Sequence, residues 1–247
     1  MIFDNPVFLE LDRAALMWFN SFVGSSQDLF YVVLFQSNKV PWVICALILC
    51  CMWFLGKEQM LADEKGGCVR SQSRAIALLV LSTMICSFMI AKSIQSVVDH
   101  DRPLVAESIQ IPIPPHIWHK VKVGLETKGS FPSDHSVMFF VLVIGGFCLN
   151  RWLGFLTLGV ALYFSSLRIA IGFHWLSDIV AGALIGIAMM CLLLKLLPRL
   201  RPYLDWVVSL FEQRPAVMYT LAFLFLMDCA NKFEFTFGVL DEVKDMI

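Results

Sequence analysis

Long apolar stretches separated by short polar segments run along most of the chain. A helix that crosses the hydrocarbon core of a bilayer needs about 20 mostly apolar residues. Five stretches meet this requirement, at residues 40–56, 75–98, 132–149, 152–171 and 175–197. A sixth, at residues 215–231, is shorter and contains Asp228 near its end. The pattern therefore predicts an all-α, polytopic membrane helix bundle with about six transmembrane helices.

The first part of the chain has a different pattern. Apolar side chains recur there at helical spacing beside charged and polar ones, at Leu11, Ala15, Trp18 and Phe22. This spacing is typical of a helix that lies in the membrane interface, and the apolar run 29–35 is too short to cross. We expect one membrane-embedded domain over residues 1–247, with interfacial helices in 1–37, a motif-bearing core at about 38–200, and the last span and a tail in 215–247.

Composition supports a membrane protein and excludes two other classes. Hydrophobic residues make up 58% of the chain and charged residues 16%, and the mean hydropathy is +0.74. A soluble domain usually carries about a quarter charged residues. The net charge of −1 gives no basic surface for nucleic acid. The cysteines lie mostly in apolar segments without metal-ligand spacing, so we interpret them as packing residues.

Positive charges predict the orientation of the bundle. Lysines and arginines occur in the loop 57–74, at Arg151 and in the segment 195–214. Strict alternation of spans places all three on one side, which should be the cytoplasm. The loop 99–131, the turn 172–174 and both termini then face outward. All five histidines fall on this outer side: His100, His116, His119, His135 and His174.

Polar side chains that are costly near membrane depth cluster at the outer ends of the spans. They are Lys92, Gln95, Arg102, Ser133, Asp134, His135, Arg168, His174 and Asp178. Each has a structural explanation: Arg168 could extend to the lipid headgroups, Ser133 could cap a helix, and His174 could simply pair with Asp178. Structural roles alone do not readily explain why all of these side chains occur at the same end of the bundle.

The residue types in these clusters indicate phosphoryl transfer. Arginine forks match phosphate oxygens, and the helix N-terminus at Ser133 is a natural anion site. His174 with Asp178 one turn later suits a nucleophile or base, and His135 is free to act as an acid. This chemistry requires no metal or other cofactor. His116 and His119 could form a metal pair, but no third ligand is evident.

Three motifs in order resemble the type 2 phosphatidic acid phosphatase family. Its third motif, Ser-Arg, five residues, His, three residues, Asp, is matched by Arg168, His174 and Asp178, with the serine one place early. Its second, Pro-Ser-Gly-His, appears as residues 132–135 with Asp134 in the glycine position. Its first, Lys, six residues, Arg-Pro, matches at residues 102–103. Gln95 stands in the lysine position, and the nearest lysine is Lys92.

The resemblance implies a role for each matching residue. His174 would attack phosphorus and become a phosphohistidine, Asp178 would orient it, and His135 would protonate the leaving oxygen. Arg102, Arg168, Ser133 and the amide of Asp134 would hold the phosphate oxygens. Lys92 or Gln95 would reach the same site, depending on the helix register. We expect the Asp134 carboxylate to point away from the anion.

The resemblance also implies a substrate class and a location. Family candidates in a bacterial chain are undecaprenyl diphosphate, phosphatidylglycerol phosphate, phosphatidic acid and lipid A phosphates, and the Pro-rich loop 99–131 is expected to act as a lid or headgroup selector. We rank hydrolysis of a lipid (pyro)phosphate first and phosphate transfer from undecaprenyl diphosphate to lipid A second. A non-catalytic lipid-binding or transport protein is third. The expected location is the bacterial inner membrane with the site facing the periplasm, and the sequence indicates no oligomeric state.

Overall fold

A computed structural model describes residues 6–38, 40–54, 69–106, 109–112, 114, 119 and 129–230. His116, most of the loop 57–74 and the tail 231–247 lie outside the described residues. Within them the chain forms helices and no strands: α1 (Pro6–Val23), α2 (Gln27–Asn38), α3 (Val40–Phe54), α4 (Val69–Val97), α5 (Pro103–Ala106), α6 (Asp134–Leu149), α7 (Arg151–Ala170), α8 (Leu176–Gln213) and α9 (Pro215–Ala230). The all-α prediction is confirmed.

The helices have the lengths and composition of a membrane protein. In the described part of the chain, three helices are long and apolar enough to cross a bilayer, namely α4 from Ser73 onward, α7 and α8. Helices α2 and α3 pass the same test together, with a bend of 43° between them, which would make four spans. Helices α6 and α9 are apolar but shorter. The number of six spans is therefore not confirmed.

Two boundaries differ from the sequence prediction. The run 29–35 lies in α2 and adjoins α3, so it can form half of a bent span although it is too short to cross alone. The segment 195–214 was expected to follow a span, but it continues α8 up to Gln213. At 1.5 Å per residue, α8 is about 57 Å long, well beyond a hydrocarbon core of about 30 Å. Pro198 and Pro202 lie inside this helix without ending it.

Helix α6 lies at the centre of the bundle and packs against α4, α7 and α8. Its apolar side chains Phe139, Val141 and Leu142 are almost completely buried. Gly182 of α8 faces the start of α6, where an added Cβ would lie 2.6 Å from the carbonyl oxygen of Ser133. A small residue is needed there because the two backbones touch, as is common between membrane helices. The contact brings the N-termini of α6 and α8 together.

A tight turn joins α7 to α8 on the same side of the bundle. Gly172 has φ +73°, a left-handed conformation that glycine adopts without steric cost. The N–H groups of Gly172 and Phe173 bond to the carbonyl oxygens of Ile169 and Arg168, each at 2.9 Å. The turn places the end of α7 and the start of α8 beside the N-terminus of α6.

Candidate active site

The predicted site residues come together at one end of the bundle. They lie on separate segments, from the end of α4 to the first turn of α8, and comprise Lys92, Gln95, Arg102, Ser133, Asp134, His135, Arg168, His174 and Asp178. Side-chain nitrogen and carboxylate oxygen atoms within 4.0 Å of each other connect Lys92 to Asp134, Asp134 to His174, and His174 to Asp178. The polar clusters that are far apart in sequence thus form one continuous site.

His174 is fully buried in the turn between α7 and α8. Its Nδ1 lies 2.9 Å from the backbone carbonyl oxygen of Ser130 and 3.5 Å from Oδ2 of Asp178. A carbonyl oxygen can only accept a hydrogen bond, so Nδ1 carries the proton and Nε2 carries the lone pair. The closest orienting atom is therefore the Ser130 carbonyl and not Asp178. Sequence reasoning missed it because a backbone oxygen leaves no residue-type signal.

The free nitrogen of His174 faces a cation. Nη2 of Arg168 lies 3.3 Å from Nε2, and the Arg168 side chain is itself buried in the last turn of α7. Burial lowers the pKa of His174 well below its usual range, and the charges of Arg168 and Arg102 lower it further. The imidazole is therefore neutral at physiological pH, which is the form that can attack phosphorus.

Asp178 connects the two helix N-termini of the site. Its Oδ2 accepts a hydrogen bond of 2.8 Å from the N–H of Trp175, and its backbone oxygen accepts one of 3.1 Å from the N–H of Ser133. A second imidazole lies on its other side, since Nε2 of His100 is 3.7 Å from Oδ1. Burial lowers the pKa of His100, while Asp12 and Asp101 oppose that shift. Sequence reasoning placed His100 on the outer side with the other histidines but gave it no role.

The Asp134 carboxylate lies inside the site, and the expectation that it points away is wrong. Oδ1 is 2.8 Å from Nδ1 of His135 and 4.0 Å from Nε2 of His174, while Oδ2 is 2.5 Å from Nζ of Lys92. The Lys92 ammonium and the Nδ1–H of His135 attract the carboxylate, and charge-assisted bonds of this kind favour a buried anion. The carboxylate therefore lies among groups that were expected to hold a phosphate.

Gln95 and Lys92 have different places in the structure. Gln95 is buried, with Nε2 donating to the carbonyl oxygen of Pro132 at 2.7 Å and Oε1 accepting from Nζ of Lys92 at 3.0 Å. Lys92 reaches past it to Asp134, and about a third of the Lys92 side chain is exposed. In this geometry Gln95 holds the Lys92 ammonium by a hydrogen bond, and Lys92 is the group at the edge of the site.

Arg102 and Ser133 hold backbone at the site. Arg102 donates to the carbonyl oxygens of Phe173 at 2.7 Å and Gly129 at 3.2 Å. Its guanidinium therefore connects the turn between α7 and α8 to the segment that leads into α6. Burial lowers the pKa of Arg102, and the carboxylates of Asp134 and Asp178 oppose this. Ser133 caps α6, because its side-chain oxygen accepts a bond of 3.4 Å from the N–H of Ser136.

The assembled groups provide a neutral nucleophile, buried cations and a second imidazole. The ring of His135 lies against Trp42 and Phe139, with centroids 5.6 and 6.4 Å apart, and forms the apolar wall of the site together with them. Sequence reasoning did not select Trp42, since one tryptophan in an apolar span carries no signal of its own. No cluster of three or more His, Cys, Asp or Glu that could hold a metal ion occurs among the residues that the structure describes.

A family comparison matches more than half of the chain. The sequence model of the PAP2 superfamily matches residues 76–202. This range contains every predicted site residue, from Lys92 to Asp178, and begins after α1, α2 and α3.

Individual relatives are more distant. Undecaprenyl-diphosphatase BcrC of Bacillus subtilis (strain 168) is 28% identical over 170 residues, which are 69% of this chain and 76% of the relative. YbjG of Escherichia coli (strain K12), which has the provisional name of an undecaprenyl-diphosphatase, is 24% identical over 160 residues, 64% and 76% of the two chains. The bacitracin transport permease protein BcrC of Bacillus licheniformis is 33% identical over 88 residues, 36% and 43% of the two chains. No solved structure matches the chain.

Proposed function

The chain belongs to the PAP2 superfamily, and from that premise we propose that it is a lipid phosphatase that removes the terminal phosphate of undecaprenyl diphosphate or a similar lipid (pyro)phosphate. One observation carries the proposal. Nδ1 of His174 donates to the Ser130 carbonyl at 2.9 Å, and the lone pair on Nε2 faces a buried arginine at 3.3 Å. The names of two relatives, one an undecaprenyl-diphosphatase and the other with that name provisionally, support the choice of substrate.

In the first step, Nε2 of His174 attacks the terminal phosphorus while the bond from phosphorus to the bridging oxygen breaks. The electron pair of that bond stays on the leaving lipid monophosphate, and His135 gives this oxygen a proton. Arg168 and Lys92 stabilise the charge on the phosphoryl oxygens, and such preorganised cations are often the largest contribution to catalysis. Arg102 keeps the His174 turn in place through Phe173.

In the second step, water attacks the phosphohistidine. His135, now neutral, takes a proton from the water, the nitrogen–phosphorus bond breaks, and inorganic phosphate leaves. Throughout, the Ser130 carbonyl holds the Nδ1 proton, so that only Nε2 can react. The Asp134 carboxylate must give way to the phosphoryl group, because it lies 4.0 Å from Nε2. Its bond to His135 orients the acid.

We place the site at the outer face of a bacterial inner membrane, in a single domain with six spans. The end of the bundle away from the site carries Arg151 and the segment 195–214, and positive charge favours the cytoplasmic side. The site then opens at the periplasmic headgroup level, where the diphosphate of a membrane lipid lies. The bacterial relatives support a bacterial membrane as the location.

The proposal is tested by phosphate release from undecaprenyl diphosphate by the purified protein in detergent, with EDTA present. We expect release by the wild-type protein, a labelled phosphohistidine that is stable to base and labile to acid, and loss of both in His174→Ala. Arg151→Ala, at the opposite end of the bundle, is the control and should retain full activity. Release that stops in EDTA and returns with a divalent cation would contradict metal independence.

Addition of lipid A separates hydrolysis from transfer, since a phosphohistidine can pass its phosphate to water or to a second lipid. Full turnover without lipid A supports the phosphatase. Label that leaves the protein only when lipid A is present, and is then found on lipid A, identifies a transferase. Binding of the lipid without turnover, and only weakened in His174→Ala, would instead indicate a carrier.

A further inference from the structure

Helix α1 buries polar side chains and exposes aromatic ones. Asp12 and Asn20 are 7% and 2% exposed, and Leu16 between them is fully buried against the bundle. On the other face, Trp18 and Phe22 are more than half exposed. A helix held to the bundle by apolar contact alone would have the opposite pattern. The buried polar groups of α1 must therefore have specific partners.

Asp12 binds the first turn of α8 with both carboxylate oxygens. Oδ1 accepts a hydrogen bond of 2.8 Å from the N–H of Ser177, and Oδ2 accepts one of 2.6 Å from its hydroxyl. The first N–H groups of a helix have no partner within it, and a negative charge at this end is favourable. Ser177 directly precedes Asp178, so the bond holds the backbone next to the carboxylate that faces His174.

Asn20 binds the other side of the same turn. Its Nδ2 donates to the carbonyl oxygen of Ala170 at 3.0 Å and to that of Gln110 at 3.1 Å. Its Oδ1 accepts from the N–H of Gln110 at 2.9 Å. Ala170 is the last residue of α7, two positions after Arg168. Two turns of α1 thus connect the end of α7 to the start of α8.

The residues between these two anchors are 171–176, and they include His174. We propose that α1 is a strap that positions the His174 turn, with Asp12 as a positioning residue for the reaction. This rests on the proposed phosphatase function. Asp12 acts through Ser177 and not on the substrate, and α1 lies outside the residues matched by the family model.

The first test compares Asp12→Ala and Asp12→Asn with Glu10→Ala, which removes an exposed carboxylate from the same helix. Asp12→Ala should lower kcat for phosphate release about tenfold or more with less than a twofold change in KM, since small misplacements of catalytic groups are costly. Asp12→Asn should recover most of the rate, because an amide can accept from the Ser177 N–H and donate to its hydroxyl. Glu10→Ala should match the wild-type protein.

Hydrogen exchange at residues 171–179 provides a readout that does not depend on turnover. Asp12→Ala should exchange faster there than Glu10→Ala. If Asp12→Ala fails to fold, Ser177→Ala replaces it; this variant retains the amide contact and should give a smaller fall in kcat and a smaller increase in exchange.

Three results would each contradict the proposal that α1 positions the His174 turn. They are an unchanged kcat in Asp12→Ala, a fall in kcat that Asp12→Asn does not recover, and unchanged exchange at the turn. A wild-type protein that releases no phosphate would reject the proposed function, and exchange alone would then decide: faster exchange in Asp12→Ala supports the strap, and unchanged exchange rejects it.

Discussion

The two ends of the bundle use charged side chains in opposite ways. At the site end, Arg102, Arg168 and Asp178 are at most 6% exposed and bind backbone groups or histidines. At the other end, each ion pair has at least one exposed partner: Arg74, whose side chain is 12% exposed, lies 3.2 Å from Glu212, whose side chain is 58% exposed, and Arg201 binds Asp205 on α8, where the two side chains are 34% and 41% exposed.

The difference shows where charge is retained for chemistry. An exposed ion pair contributes about 0–1 kcal/mol and can be lost without consequence. A buried charge costs several kcal/mol of desolvation, which its partners offset only with good geometry. Charges that remain buried in a membrane bundle therefore indicate function by default. The site end has many such groups within a few ångströms of one histidine.

The largest expected effect comes from removal of an arginine at the site end, and an arginine at the opposite end is its control. Arg168→Ala should reduce kcat for phosphate release by about 10²- to 10³-fold, because it removes the cation 3.3 Å from Nε2 of His174. Arg151→Ala should leave kcat within twofold. Steady-state phosphate release by the two purified variants measures the contrast. Equal effects, or a change in KM alone for Arg168→Ala, would contradict a role in the transition state.

The contrast between the ends was partly visible in the sequence. Helical periodicity and apolar length predicted α4, α6, α7 and the start of α8 to within a few residues, apart from an earlier start of α4, and motif spacing selected the residues that meet in the site. The continuation of α8 through Pro198 and Pro202 was not predictable from a rule that ends helices at proline.

What sequence reasoning missed depends on tertiary contacts. The Ser130 carbonyl has no residue-type signal, and the inward direction of the Asp134 carboxylate follows from Lys92 and His135, which come from another helix and the next residue. Asp12 resembled one polar residue of an interfacial helix. Its importance appears only when Ser177, far along the chain, is placed beside it.

An intermediate effect is expected for the carboxylate within the site. Asp134→Asn should lower kcat about tenfold, because the amide cannot hold both Lys92 and the Nδ1–H of His135 as the carboxylate does. It should also lower KM, since a negative charge near the phosphate is removed. Both parameters come from initial rates over a range of lipid concentrations in mixed micelles.

The same variant tests the alternative that the Asp134 carboxylate slows phosphate release. If kcat increases in Asp134→Asn and increases further in Asp134→Gly, the carboxylate competes with the substrate and does not assist His135. Asp205→Asn at the opposite end is the matched control, and its kcat should equal that of the wild-type protein.

The smallest expected effect is on the stability of the fold. The dependence of this stability on pH should differ between variants at the two ends. Because burial and the nearby arginines lower the pKa of His174 in the native state, the unfolded chain binds a proton below about pH 6.5 that the native protein does not. Stability rises with pH wherever the unfolded state binds more protons, so the contribution of His174 is fully present above about pH 6.5. It is lost as the pH falls below that value, by up to about 1.4 kcal/mol per pH unit.

Thermal unfolding in detergent at pH 7.5, 6.5 and 5.5 should therefore show a steeper loss of stability for the wild-type protein than for His174→Gln, which cannot take up this proton. Ser209→Ala, which removes an exposed hydroxyl from the opposite end of the bundle and no titratable group, should leave the wild-type slope unchanged. Parallel slopes for wild type and His174→Gln would mean that His174 titrates in the native protein as it does in the unfolded chain, and a neutral nucleophile at acidic pH would then be excluded.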